Sequence, residues 1–237
     1  MNFFTFIIEY GPKFTSAAIV TAQVFIYSVL LAVFVSIIFG IMRLSKNFFI
    51  QAIATIYIEF YRGTSLIIQM FWIYYVLPLF GLPLPALLAG VLALGMNFGA
   101  YGAEVFRAGI LAVPKGQWEG ASALNFSKRK RMQRIIIPQI YPIILPPAAN
   151  LAVELLKGTA LVSLITLVDL MFVAKQINMM TWFSAQSFGL ALIIYFVMAR
   201  FILVPFLRWL EAVSYTHLRA HETSHDLVCR LLLEKKK

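Results

Sequence analysis

Five stretches of this 237-residue chain are long and oily enough to cross a bilayer, and they leave little sequence from which to build a water-soluble core. They cover residues 16–42, 52–77, 86–105, 144–167 and 185–207. Each approaches the ~20 apolar residues that span the hydrocarbon as a helix. The chain is 61% hydrophobic and 13% charged, with a mean hydropathy of +0.85, a balance that excludes an ordinary soluble domain. Backbone N–H and C=O groups find no water in hydrocarbon, so a spanning segment of this kind must satisfy them within itself as a helix. The expectation is an all-α, polytopic membrane protein with five transmembrane helices in one bundle, residues 16–212.

Charge orders the bundle. Arg43 and Lys46 follow the first span, and Arg208 follows the fifth. Between the third and fourth spans stand Arg107, Lys115, Lys128, Arg129, Lys130, Arg131 and Arg134. The connection between spans two and three has no basic residue, and that between four and five has Lys175 beside Asp169. Basic loops stay in the cytoplasm, so the N-terminus is expected outside and the C-terminus inside. The same rule accounts for the net charge of +10 without nucleic acid, which is not expected as a partner; membrane lipid is. Residues 1–15 read as an interfacial segment broken at Gly11 and Pro12. They lack a basic leader, so the first span is expected to serve as an uncleaved insertion signal.

Residues 213–237 change character abruptly after Glu211. They hold all three histidines and the only cysteine. His217, His221, His225 and Cys229 recur every four residues, a face that would suit zinc. The segment also resembles translated sequencing-adapter DNA, and it is read as a non-native tail, with no metal site expected. One cysteine excludes an intrachain disulfide. Residues 1–212 contain neither histidine nor cysteine, so no catalytic residue is assigned and an embedded enzyme is disfavoured.

The run from Val113 to Ile143 is the polar interruption. From Glu119 it reads EGASALNFSKRKRMQRIIIP. A short helix over residues 117–124 fits, with Asn125 as its stop, because Asn enters left-handed backbone at low cost. This segment resembles the EAA loop of bacterial ABC importer permeases: Glu119, Ala121, Ile135 and Pro138 match, while Gly120, Asn125 and Ile137 depart from the pattern. The segments AYGAEVFRAGILAVPKGQWEGASALN from Ala100, EFYRGTSLIIQMFWIYYVLP from Glu59 and NLAVELLKGTALVSLITLVDL from Asn150 are similar to permeases of polar amino acid importers. The likeness runs over residues 14–211. Within that group, YVLPLFG, NFGAYGAEV and LLKGTALVSLIT resemble permease subunits of ectoine and hydroxyectoine importers.

The resemblance implies a type I importer permease in the bacterial inner membrane. It also implies a second permease subunit, identical or paralogous, two ATPase subunits and an extracytoplasmic solute-binding protein. ATP with Mg²⁺ would sit in the ATPase; this chain carries no G-x-x-x-x-G-K-[ST] loop and is expected to bind no cofactor. Gln117, Glu119, Gly120, Ala121, Leu124 and Asn125 would form the surface that meets the ATPase. The alternative is a secondary transporter or channel driven by an ion gradient.

Two octets share the pattern E-x-x-[RK]-G-T-[SA]-L, one from Glu59 with Arg62 and Thr64, the other from Glu154 with Lys157 and Thr159. In a helix each acid faces its base at i,i+3, and pairing lowers the cost of charge in lipid. Two readings stand: self-neutralised pairs that let helices pack, or groups lining a path for a small zwitterion, with Ser163 and Gln69 nearby. Asn97, Tyr101 and Glu104 form a polar stripe with the same two readings. Gly158 stands where many relatives of this kind carry an acid, which argues against a strongly cationic solute.

Overall fold

The computed structural model describes residues 3–213, all helix and connection with no strand among them. The tail and its histidines lie outside the described residues.

Helix α1 (Phe3–Arg43) runs unbroken through Gly11 and Pro12, where the sequence reads as a break. Thr15 and Ser16 donate their hydroxyls to the carbonyls of Gly11 and Pro12. The first turns belong to the bundle, because Phe6 and Phe14 are fully buried against Leu170, Ala174 and Leu190. At 1.5 Å per residue α1 is ~60 Å long, about twice the hydrocarbon thickness. Helix α4 (Ala86–Ala112) is its main partner. A Cβ on Gly95 would strike Leu31, and one on Gly99 would strike Val35. Small residues replace side-chain bulk with backbone proximity, the packing currency of helices in lipid. Ser36 sits in the seam and donates to the Gly99 carbonyl at 3.1 Å. On α4's other side, Gly109 leaves room for Ile144.

The second span is not the single rod expected. Helix α2 (Phe48–Gly63) and helix α3 (Leu66–Phe71, continued to Phe80 by a wide turn and a tight turn) meet at 105°. The bend falls at Thr64 and Ser65, both extended. Among the described residues four helices are long and apolar enough to cross a membrane, or five if the bent pair is one span. The polar run carries helix α5 (Lys115–Ala123), starting two residues earlier than expected. One helical stretch then runs from Lys128 to Ile165: α6 (Lys128–Arg131), a wide turn just before Pro138, α7 (Ile137–Gly158) and a 3₁₀ segment from Thr159 to Ile165. The wide turn precedes the proline that removes a ladder N–H.

Residues read as a polar connection between the last two spans form helix α8 (Leu170–Thr181), whose Leu170, Val173, Ala174 and Ile177 are buried. Helix α9 (Ser184–Val197) continues helically to Val213. Asp169 caps α8, accepting from the backbone N–H of Met171 and Phe172 at 3.2 and 2.9 Å. Tyr195 donates its hydroxyl to the same carboxyl at 3.4 Å. Asp169 is fully buried, and that desolvation raises its pKa from 3.8 to about 6 against the hydrogen bonds that lower it. The folded chain therefore keeps a proton that the unfolded chain releases near pH 4. This stabilisation is complete below about pH 4 and is lost as pH rises through about 6. Asp169→Asn keeps a cap oxygen without the charge; its apparent melting temperature in detergent should lose the decline that the parent shows between pH 4 and 6.

Candidate functional site

Three polar seams interrupt the apolar bundle. The first closes the bend between α2 and α3. Breaking a helix at membrane depth exposes carbonyls that must find donors. The Gln69 amide donates to the Tyr61 carbonyl at 3.0 Å and to the Thr64 hydroxyl at 2.6 Å. Asn97 of α4 donates to the same Tyr61 carbonyl and to the Gln69 side-chain oxygen, both at 3.0 Å. Gln69 and Asn97 are 6% and 5% exposed. These residues, expected to line a path or glue helices, are here occupied in satisfying the broken backbone. Tyr101 lies one turn along α4 beneath the Arg62 guanidinium, 5.4 Å from ring centre.

The expected self-neutralised pairs do not form. Arg62 stacks on Tyr101, and Glu59 instead lies 4.0 Å from Arg43 of α1. Both residues lie within α2, and the Tyr101 face on one side and Arg43 on the other hold the two charges apart. In the second octet Glu154 and Lys157 are both exposed on α7 and make no ion pair with each other among the described residues. Lys157 opens onto an apolar groove of about 580 Å³ lined by Leu156, Ala160, Phe188, Leu192 and Tyr195.

The second seam surrounds the 3₁₀ segment that ends α7. Thr159 and Ser163, both candidate path residues, donate to their own backbone, to Leu156 at 2.6 Å and Ala160 at 2.8 Å. Ser163 also accepts from Lys175 of α8 at 3.1 Å. Lys175 reads in the sequence only as a loop charge; its interior partner depends on α8 folding back. The Tyr74 hydroxyl meets Thr166 at 2.9 Å, and Tyr75 donates to the Leu164 carbonyl. Through these contacts α3 clamps the same connection.

The third seam is helix α5. Its end is a complete C-terminal motif: Asn125 adopts φ +55°, its N–H bonds the Ser122 carbonyl, and the Phe126 N–H reaches back to Ala121. That pairing satisfies carbonyls which a helix end leaves open. Ala121 is 2% exposed, and Trp118 packs against the buried cluster of Ile110, Val113, Ile136 and Ile140. Arg131 lies over the Trp118 ring and donates to Ser122 at 2.6 Å, while Gln117 accepts from Gln139 at 3.2 Å. One side of α5 is thus pinned to the next helix. Glu119, Gly120 and Leu124 face outward, and a Cβ on Gly120 would meet open space. Within this chain the Gly that departs from the EAA pattern therefore meets no steric constraint.

Residues 32–212 match the family model of the binding-protein-dependent transport system inner membrane component. This chain belongs to that family. It is the membrane permease of an ABC importer, a transport subunit rather than an enzyme, and a multi-pass protein of the inner membrane. A probable amino-acid ABC transporter permease protein of Sinorhizobium fredii is 44% identical over 90% of this chain and 91% of its own length. The L-cystine transport system permease protein of Bacillus subtilis is 32% identical over 72% of this chain and 73% of its own. Among solved structures, an amino acid ABC transporter crystallised with histidines superposes with a TM-score of 0.82 at 36% identity, covering 90% of this chain and 98% of that one.

The permease's α5 gives a direct test of the Asn125 turn. A β-branched residue at φ +55° is strained by steric contact with its own backbone. Asn125→Val should lower solute uptake severalfold, whereas Asn125→Gly should retain it; initial uptake rates in membrane vesicles decide.

Proposed function

We propose that this permease moves a small zwitterionic solute of the amino acid class inward by alternating access, driven by ATP bound and hydrolysed in a partner subunit. Ectoine and hydroxyectoine belong to the solute class considered, through the likeness of YVLPLFG, NFGAYGAEV and LLKGTALVSLIT; the relatives reported above bear amino-acid names. In this reading the N-terminus lies outside and the C-terminus in the cytoplasm, which the basic residues at 43–46 and 107–134 support. A second permease subunit completes the pathway, and a solute-binding protein delivers cargo to its outer face.

One observation carries the reading. Helix α5 is anchored by Trp118 and Ala121 on one side and presents Glu119, exposed and in no ion pair among the described residues, on the other. That is the form of a rigid handle for a soluble partner. Glu119 supplies a negative charge for basic groups on the ATPase, and Gly120 and Leu124 supply a shallow apolar contact beside it. Within the bundle, Glu154 and Lys157 project from α7 without neutralising each other. Unpaired charges at membrane depth face protein or water rather than lipid, and these two match the ammonium and carboxylate of a zwitterion.

Two measurements separate the parts. Glu119→Lys should abolish uptake while leaving membrane insertion and expression unchanged; uptake at the parent rate would remove α5 from the coupling surface. Glu154→Gln should lower uptake about tenfold without changing basal ATP hydrolysis of the assembled importer. Unchanged concentration dependence of uptake would take Glu154 out of the path.

A further inference from the structure

Arg43 in the last turn of α1, Glu59 about one turn before the end of α2, and Glu104 and Arg107 of α4 meet in a four-residue charge knot that the coupling surface and the solute path leave unexplained. Arg107 donates to one oxygen of Glu104 twice, from Nε at 3.1 Å and from Nη2 at 2.8 Å. Arg43, at the last turn of α1, is held less firmly. Its Nε lies 3.8 Å from the other Glu104 oxygen, and its Nη2 lies 4.0 Å from Glu59. Neither distance is a hydrogen bond. Arg43 Nη1 and Glu104 Oε1 are both buried, and neither has a hydrogen-bond partner. Charged groups left unsatisfied inside a protein are expensive. A single guanidinium placed between two carboxylates, and closed on neither, is the arrangement of an element with two available positions.

The knot is mechanically joined to α5. Leu44, next to Arg43, and Phe106, between Glu104 and Arg107, pack in the same apolar cluster as Trp118 of α5, with Ile110, Val113, Ile136 and Ile140. Helices α1 and α4 are locked together by the glycine contacts at Gly95 and Gly99. Helix α2 joins this unit through the Tyr57 hydroxyl on the Met96 carbonyl at 2.6 Å, the Phe39–Tyr57 ring stack, the Asn97 amide on the Tyr61 carbonyl at 3.0 Å and Arg62 over the Tyr101 ring. It is flanked by the four-residue connection 44–47 and the bend at Thr64. A shift of α5 thus reaches Arg43 and Glu104 through packed side chains, and Arg43 reaches α2 through Glu59.

We propose that Arg43 is a positioning residue that divides between Glu104 and Glu59 and relays the movement of α5 to α2. Closure on Glu104 frees the end of α2; closure on Glu59 draws it to α1. The proposal rests on α5 being the contact with the ATPase. Its distinguishing feature is sign. Removing one acid hands Arg43 to the other, so Glu104→Gln and Glu59→Gln bias the relay in opposite directions. A knot that only stabilises the fold would respond to both losses alike.

The test uses the importer assembled with its ATPase subunits in nanodiscs. Spin labels are placed at Gln51→Cys on α2 and Lys115→Cys on α5, both exposed, in a Cys229→Ser background. Distance distributions between them are recorded with and without ATP. We expect two populations whose ratio changes roughly 2- to 30-fold in opposite senses for Glu59→Gln and Glu104→Gln. Adding Glu59→Gln to Arg43→Gln should then change nothing further. Shifts in the same sense, no shift from either acid, or an independent effect of Glu59→Gln in the Arg43→Gln background would overturn the relay. The Glu59 side chain is 63% exposed, so its variant assembles even if Arg43→Gln does not, and Arg43→Lys then serves as the charge-preserving partner. Glu119→Lys in the same preparation tests the contact beneath the relay. If that variant keeps the ATP-dependent change, α5 is not the contact. If it removes the change while both acid variants leave the ratio unmoved, the contact stands and the relay falls.

Discussion

Satisfying backbone polar groups inside an apolar bundle is the constraint from which the rest of this permease follows. A straight helix meets it automatically, but this chain bends its second span by 105°. The bend strands carbonyls at the end of α2, and two side-chain amides answer them. Gln69 returns from α3 to Tyr61 and Thr64, and Asn97 reaches across from α4 to Tyr61 and Gln69. An unmet carbonyl in such a setting costs about 1–3 kcal/mol, so the two amides together permit a geometry the backbone would otherwise refuse. Before the bend, Arg62 lies over Tyr101 of α4 and Glu59 lies near Arg43 of α1, so the packing of α2 between its neighbours decides which charges meet.

The end of α7 solves the same problem with shorter reach. Thr159 and Ser163 bond their own preceding carbonyls, and the chain turns at Thr166 with φ +66° before Asp169 caps α8. Both irregular segments lie next to α3, which clamps the second through Tyr74 and Tyr75. The rigid α1–α4 pair, packed through glycine, carries these less regular elements around it. Stiffness and irregularity are thus segregated: close backbone contact on one side, side-chain-capped breaks on the other. A transporter that changes shape needs both, since a bundle packed throughout like α1 and α4 offers no place to move.

Much of this architecture was legible in the chain. Hydropathy located the spans, and the cluster from Lys128 to Arg134 separated the third from the fourth. Asn125 marked the end of α5 because few residues enter left-handed backbone cheaply, and the structure places it at φ +55°. Other features were not legible. The octets from Glu59 and Glu154 share a pattern, and i,i+3 spacing on a regular helix would pair their charges. No periodicity reveals that Tyr101 and Arg43 lie close enough to compete for Arg62 and Glu59. Nor does a proline at position 12 show that the helix continues, since continuation depends on Phe6 and Phe14 finding buried places against α8 and α9.

The sequence by itself determined that the chain is a helical membrane bundle with a basic segment between its third and fourth spans, and which family it belongs to. Those properties depend on local composition and on motifs a few residues long. Tertiary structure alone decided where each intramembrane charge and amide is spent. That outcome rests on distances between residues up to 61 positions apart, such as Arg43 and Glu104. In a low-dielectric interior a change from 4 Å to hydrogen-bond contact separates a latent pair from a closed one.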